Sequence, residues 1–538
     1  MSTTQQQTLP ALFARKVAER GDHPAVAMAG ESVTYAELER RSAHFARALL
    51  QAGAGKGARI ALLSADGIFW LTAFLGCMRI GALVSLVSTL CTSRELAHIL
   101  RTSDTQFLVA NRRFLNHDYG EKLGEALPGL ANGEAGALRL VDAPYLRAIW
   151  LDDAEGMAWA EPVDALLALA DSPAAPGDDL LAALEREVAA SDDAVIVYTS
   201  GSTSAPKAVT HCQRTLACHP PAVAEYFLLK PDDRMMPTLP VFWLGGLVMA
   251  LEVLSVGGTL VYPQSPSVDD MVEAIATLAV NRVNSWGDMM VKLREGARGR
   301  GIDVDSIIGL GEFREASGEL IPPPLQANLL GMSETFAVHS AEPLDVRLPA
   351  DKAGASGRTV NGYQRRIVNP ETGEAVATGE LGELQLRGGG LMTGFYKRER
   401  ESVFTADGFY PTGDLCREDA DGYLYFVARR GDMIKTRSAN VSRLEVEAAL
   451  REVPGVAIPV VAGIDDPEYG QRVVAAVVPA EGVDLSEESL RDALRELLSS
   501  YKVPRNIVFI SESDIPRTST GKIRLAEIGA MIASRISA

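Results

Sequence analysis

Tyr198-Thr-Ser-Gly-Ser-Thr-Ser-Ala-Pro-Lys207 follows directly on the apolar run Asp193-Ala-Val-Ile-Val, so a strand feeds a loop of small and hydroxyl residues closed by a proline and a lysine. Small residues let backbone N–H groups approach an anion closely, hydroxyls add donors, and the lysine adds a point charge. That is phosphate-binding chemistry. The GxxxxGK[ST] spacing of a Walker loop is absent. Taken alone, an ordinary Ser/Thr/Gly surface loop reads equally well from these residues.

Upstream, helical and strand-like patterns alternate. Thr34-Tyr35 introduces the amphipathic AELERRSAHFARALLQAG with a stop at Gly53. ARIALLS, GIFWLTAFLGCMRIGA and ALVSLVS then read as strand, helix and strand. SRELAHILRTSD reads as a helix with Ser93 as its N-cap, and QFLVAN as the next strand. Such an order predicts a parallel sheet covered by helices. From Ala154 to Ala190 the chain reads as surface helix and loop. Near Gly354 short alternating strands and Gly turns mark a β-rich subdomain. Beyond Arg429 the pattern changes to helix NVSRLEVEAALREVPG, strands GVAIPVVAGI and QRVVAAVVP, and helix SEESLRDALRELLSSY with Ser486 as cap. This is a small α+β module, and the boundary is placed at the Arg429–Gly431 turn.

The 538 residues exceed one ordinary domain. With 47% hydrophobic and 23% charged residues, the composition is that of a soluble globular protein. A formal net charge of −18 makes nucleic acid a poor partner. Five cysteines without a CxxC pair fit neither a disulfide framework nor a zinc site, and the cluster His211, Cys212, Cys218, His219 has the wrong spacing for zinc. A reducing cytoplasm is the simplest setting. No signal peptide pattern is visible at the start of the chain. Ile68–Leu90 is the most apolar stretch, but Arg79 at its middle argues for buried helix and strand rather than a membrane span.

Further segments recur in a fixed order. Leu239-Pro-Val-Phe-Trp-Leu-Gly-Gly246, Gly331-Met-Ser-Glu334, Tyr410-Pro-Thr-Gly-Asp414, Arg429 and Pro516-Arg-Thr-Ser-Thr-Gly-Lys522 follow the loop YTSGSTSAPKAVTH. Together they resemble the adenylate-forming superfamily of acyl-CoA synthetases, luciferases and peptide-synthetase adenylation domains, from about Tyr35 to Leu525. The resemblance implies an α/β fold. A large N-terminal domain, 1–430, holds two helix-covered sheets plus a β-barrel-like subdomain, and a small mobile α+β C-terminal domain, 431–538, carries the catalytic lysine. It implies ATP, Mg2+ and coenzyme A, and no integral membrane segment; many relatives are homodimers.

By the same resemblance, Thr199, Ser200, Gly201, Ser202, Thr203 and Lys207 contact phosphates, with Ser333 beside them. Asp414 and Arg429 hold the ribose, and two hydroxyls suit a carboxylate acceptor. Glu334 ligates the metal; a hard oxygen suits magnesium. Lys522 reaches the substrate carboxylate and the α-phosphate, where it offsets repulsion. Phe242, Trp243, Leu244, Gly245 and Phe336 line the acyl pocket, though Trp243 is equally a core residue. His211 packs beside the phosphate loop. Gly431 is the hinge, where relatives carry Asp or Lys. Lys435, Arg437 and Ser438 form the loop of the thioester step.

Departures from the family pattern matter. Ser204 and Ala208 replace two usual glycines, and a positive φ at Ser204 would cost about 1–2 kcal/mol. Leu330 replaces the aromatic residue that packs on adenine. Ser438 stands where relatives have glycine, beside the pantetheine channel, and Arg443 where they have proline. The expected activity is ATP-dependent activation of a hydrophobic or aromatic carboxylic acid to an acyl-adenylate, then transfer to coenzyme A. Ser438 motivates an amine acceptor as the alternative. A nucleotide-binding protein without catalysis is the third reading, against which stand Lys522, Glu334 and Asp414.

Overall fold

A computed structural model describes residues 7–199, 206–285, 287–429, 433–436, 439–516, 523 and 525–537. The expectations on Ser200, Gly201, Ser202, Thr203, Ser204, Gly431, Arg437, Ser438 and Lys522 lie outside the described residues. The chain divides into two compact units, one of Met1–Thr89, Leu100–Val197 and Ala208–Ala428, the other of Leu90–Ile99, Tyr198–Lys207 and Arg429–Ala538.

The predicted helix-covered sheets are present. The larger has eight strands in the order Gly394–Phe395, Lys207–Cys212, Asp193–Thr199, Leu83–Leu86, Arg59–Leu63, Phe107–Ala110, Ala148–Leu151, Glu161–Pro162. From Asp193–Thr199 to the far edge every pairing is parallel. Its central strands Leu83–Leu86, Phe107–Ala110 and Ala148–Leu151 are buried at every position, as in a parallel sheet covered on both faces. The second sheet runs Arg282–Asn284, Arg234–Pro237, Thr259–Val261, Pro24–Met28, Glu31–Thr34, parallel except for the last hairpin. Helix Tyr35–Gln51 is capped by Thr34 and packs on helix Ile68–Arg79.

Arg79 is buried and ion-paired with Glu39 and Glu185, both at 2.6 Å. Among the described residues no helix is long and apolar enough to cross a membrane. The Ser93 cap is corrected. Thr92 Oγ1 accepts from the Glu95 N–H at 3.2 Å, while Glu95 Oε2 accepts from the Thr92 N–H at 3.0 Å. Thr-x-x-Glu is a capping box, and its reciprocal bond outweighs a lone Ser one residue later.

The β-rich region forms two small sheets. Leu330–Met332, Ala337–Ala341 and Arg358–Thr359 make an antiparallel three-stranded one. Tyr363–Val368, Gly382–Gly388, Tyr410–Glu418 and Leu424–Arg429 make a four-stranded one.

In the second unit, Val456–Asp466 and Gly470–Pro479 pair as a long antiparallel ribbon, and Asn506–Phe509 joins in parallel. Strand alternation splits its core in two. Val461, Val473, Ala475 and Val477 bury against helices Arg443–Glu452 and Glu487–Leu497, the latter capped by Ser486 as expected. Val460, Ala462, Val474 and Ala476 bury on the other face with Ile528 and Ile532 of helix Leu525–Ser537.

The same unit holds a buried charge cluster. Lys502 Nζ lies 2.9 Å from Glu95 and 2.8 Å from Glu445, and Ser499 Oγ donates to Glu95 at 2.6 Å. Burial works against the ammonium, but Tyr501, Glu95 and Glu445 outweigh it and raise the Lys502 pKa above its ordinary value. Removing the cation leaves two carboxylates buried without it. Lys502→Met is therefore expected to lower unfolding free energy by about 3–5 kcal/mol in urea titration. A loss below about 1 kcal/mol would show that the carboxylates do not depend on it.

Candidate functional site

Thr199 ends one strand of the large sheet and Lys207 opens the next; both are half-buried. The core of the first strand, Ala194 to Val197, is almost completely buried. Thr199 stands at the carboxyl end of a parallel strand, where open α/β sheets place ligands. Lys435 is exposed on strand Met433–Thr436, its N–H donating to Gln471 Oε1 at 2.9 Å. Arg429 ends strand Leu424–Arg429.

In the first unit, Ser333–Thr335 is a single 3-10 turn between strands Leu330–Met332 and Ala337–Ala341. The turn is tight enough to need glycine at 331: a Cβ there would lie 2.1 Å from the Ala337 carbonyl oxygen. Phe336 and Ala337 follow with φ of 48° and 73°, the left-handed region, at a cost of about 1–2 kcal/mol each.

Several bonds hold it. His211 Nε2 lies 2.7 Å from the Ser333 carbonyl, so Nε2 carries the proton. Tyr363 Oη donates to the Thr335 carbonyl at 2.6 Å and the Met392 N–H to the Glu334 carbonyl at 2.8 Å. Thr335 Oγ1 accepts from the Met332 N–H at 3.2 Å. The Glu334 carboxylate is only 9% exposed and accepts from Tyr410 Oη at 3.3 Å.

Tyr410 belongs to the strand that also carries Asp414. Register along it breaks: Gln385 pairs with Pro411 and Glu383 with Leu415, so Leu384 alone faces Thr412-Gly413-Asp414. Thr412 Oγ1 donates to the Leu384 carbonyl at 2.7 Å and accepts from the Asp414 N–H at 3.1 Å, and Gly413 supplies a φ of 74°. TGD, a turn signature in sequence, is a bulge within a strand. Asp414 is 4% exposed.

Phe242, Trp243, Leu244 and Gly245 open helix Leu244–Val256. Phe242 and Trp243 meet edge to face at 5.7 Å, with Phe242 and Leu244 buried and Trp243 half-buried. The Val241 N–H donates to Asp66 Oδ1 at 3.1 Å, and burial pushes the Asp66 carboxyl up to about 7. Phe336 is completely buried, its ring 4.8 Å from His211 and 6.3 Å from His219. Leu330 is half-buried and packs on the core of the four-stranded sheet.

Sequence reading missed His339, Tyr363 and the role of Tyr410, and took His219 only as a possible metal ligand. Tyr363 stacks edge to face on His219 at 5.4 Å and lies 6.4 Å from His339. A Cβ at Gly390 would stand 2.2 Å from Tyr363 Oη, so Gly390 is a usable signal of close approach. Burial lowers all three imidazoles, opposed by hydrogen bonds: His211 to about 3, His219 to about 4 and His339 to about 3.

The AMP-binding enzyme family model matches residues 13–396, and the AMP-binding enzyme C-terminal domain matches 445–522. A sulfoacetate–CoA ligase of Cupriavidus necator is 30% identical over 96% of this chain and 96% of its own. A 3-hydroxybenzoate–CoA/4-hydroxybenzoate–CoA ligase of Thauera aromatica is 29% identical over 94% and 93%. The amide bond synthetase structure from Marinactinospora thermotolerans shares the fold, with a TM-score of 0.77 at 24% identity over 96% of this chain and 99% of that one.

Because their folded pKa values are depressed, the three buried histidines stay neutral where an unfolded chain takes up protons. The stability they give is present above about pH 6.5 and is lost as pH falls toward their folded values, at about 1.4 kcal/mol per histidine per pH unit. The chain has seven histidines. In imidazole NMR titration three of the seven signals are expected to keep neutral shifts down to pH 5. Seven midpoints near 6.5 would disprove this burial.

Proposed function

The chain belongs to the AMP-binding enzyme family, and from that premise we propose that it activates a carboxylic acid with ATP, giving an acyl-adenylate and pyrophosphate, and then passes the acyl group to coenzyme A. The observation that carries the reading is the clamped turn of Glu334 joined through Tyr410 to the strand that bulges at Asp414. Both carboxylates are held on backbone that elsewhere would be strained or unpaired.

In this reading the phosphate loop Thr199, Ser200, Gly201, Ser202, Thr203 and Lys207 binds the triphosphate. Ser333 adds a hydroxyl, and the bulged Asp414, with Arg429, takes the ribose hydroxyls. Glu334 holds Mg2+. The donor set fits: one hard, hydrogen-bonded carboxylate with substrate phosphates completing the shell is the usual arrangement for this ion. When bound, the ion neutralises phosphate charge. Lys522 stabilises the charge that builds as the acid's oxygen attacks the α-phosphate. The functional division is 1–430 and 431–538, with Gly431 as hinge and Lys435, Arg437 and Ser438 bordering the thioester step. The Phe242–Trp243 pair supports an aromatic or otherwise hydrophobic acid, since edge-to-face rings accept a further ring well. Relatives named for hydroxybenzoate agree with this preference; the one named for sulfoacetate marks how far the acid varies at similar identity. Ser438 supports the second reading, an amine as acceptor.

Purified protein with Mg-ATP and a panel of aryl, fatty and alicyclic acids is expected to release AMP and form acyl-CoA, read by mass spectrometry. Adenylate without thioester transfers the proposal to amines; no turnover with any acid overturns it. Glu334→Gln is expected to reduce acid-dependent pyrophosphate release about 10²–10³-fold. Lys522→Ala should do the same, and pyrophosphate release left intact would remove Lys522 from the reaction.

A further inference from the structure

Glu334 can hold a cation only if the turn beneath it keeps its shape, and that shape is costly. Two consecutive non-glycine residues sit at positive φ, and one of them, Phe336, is completely buried. The chain's own short-range bonds, such as Thr335 Oγ1 to the Met332 N–H, close the turn but do not fix it in the molecule. What fixes it comes from far along the chain. His211 reaches the Ser333 carbonyl across 122 residues, at 2.7 Å. On the same face of its strand, Val209 packs in the cluster that includes Met332 and Val338, on either side of the turn. The Phe336 ring, which the left-handed backbone turns inward, lies edge-on to the His211 ring at 4.8 Å. A single imidazole thus makes both a hydrogen bond to the residue before Glu334 and an aromatic contact with the residue two beyond it. Among the described residues His211 Nδ1 is buried and has no hydrogen-bond partner, so among them Nε2–H to Ser333 is the one polar bond that holds the ring.

We propose that His211 is a positioning residue for Glu334: its Nε2–H on the Ser333 carbonyl and its ring against Phe336 lock the turn in the geometry that presents the carboxylate to a divalent cation. The inference rests on the reading of Glu334 as metal carboxylate. Outer groups that orient a metal ligand typically change metal affinity 10–100-fold when removed. Gln has a side-chain N–H at a reach close to that of Nε2, whereas Leu fills the volume without a donor.

The test compares wild type, His211→Gln and His211→Leu in two ways. Without nucleotide or metal, amide hydrogen exchange is followed over peptides spanning residues 330–340. Then Mn2+ binding is measured by its electron spin resonance signal in the presence of a non-hydrolysable ATP analogue. His211→Leu is expected to speed exchange in these peptides at least tenfold and to weaken Mn2+ about tenfold or more, with exchange elsewhere unchanged. His211→Gln is expected to stay within about threefold of wild type in both. Equal Mn2+ affinity for all three proteins overturns the proposal, and so does equal damage in both variants. If His211→Leu does not fold, wild type alone decides: a slowly exchanging imidazole N–H resonance from His211 supports the bond, and its absence in the folded protein overturns it. Wild type that binds no Mn2+ with the analogue overturns the metal reading of Glu334 itself, whereas metal binding that is indifferent to His211 overturns only the positioning role.

Discussion

A hydrogen bond from a buried imidazole to one carbonyl, His211 to Ser333, ties two distant parts of the larger unit together. Its importance follows from what it opposes. Two left-handed residues in succession cost about 1–2 kcal/mol each. An internal hydrogen bond contributes about 1 kcal/mol net. The bonds from His211, Tyr363 and Met392 to three successive carbonyls of the turn are therefore of the right size to offset that strain. Strain of this kind persists where surrounding structure over-determines it, and it gathers at functional sites.

Tyr410 links the first carboxylate to the strand that carries the second. That phenol donates to Glu334 at one end of a strand, and four residues later the register breaks to put out Asp414. A bulge re-aims a side chain without ending the sheet. Gly413 bears the positive φ, so Thr412 and Asp414 need not. Both acidic groups are thus set by antiparallel β structure. Hydrogen bonds between residues far apart in the chain, His211 to Ser333, Tyr410 to Glu334 and Thr412 to Leu384, locate the two carboxylates.

Much of this was legible because period and caps are local properties. The alternation from Tyr35 to Ala110 gave a parallel sheet, and the Ser486 cap stands where side chain and pattern agree. Local reading failed by one residue at Ser93, where the reciprocal partner three positions on, Glu95, points to Thr92. It failed more deeply where partners are far apart. Nothing in the neighbourhood of His211 announces Ser333, because the bond spans 122 residues. Tyr363 carries no local sign of its bond to Thr335; the only trace is at Gly390, where no Cβ fits beside its hydroxyl. TGD looks like a turn because Gly-Asp favours one, and only pairing with Leu384 makes it a bulge.

The choice of histidine for this clamp has a physical reason. A carboxylate that is to bind a cation must keep its charge, and a lysine or arginine beside it would compete for that charge and lower the gain on binding the ion. A serine or threonine is too short to cross from one strand to a turn on another sheet. Neutral imidazole combines reach, a single directed N–H and a flat ring that packs against Phe336. Burial keeps it in that form, since its folded pKa of about 3 leaves it uncharged throughout the neutral range. His219 and His339 pack around Tyr363, whose hydroxyl donates to the Thr335 carbonyl of the same turn.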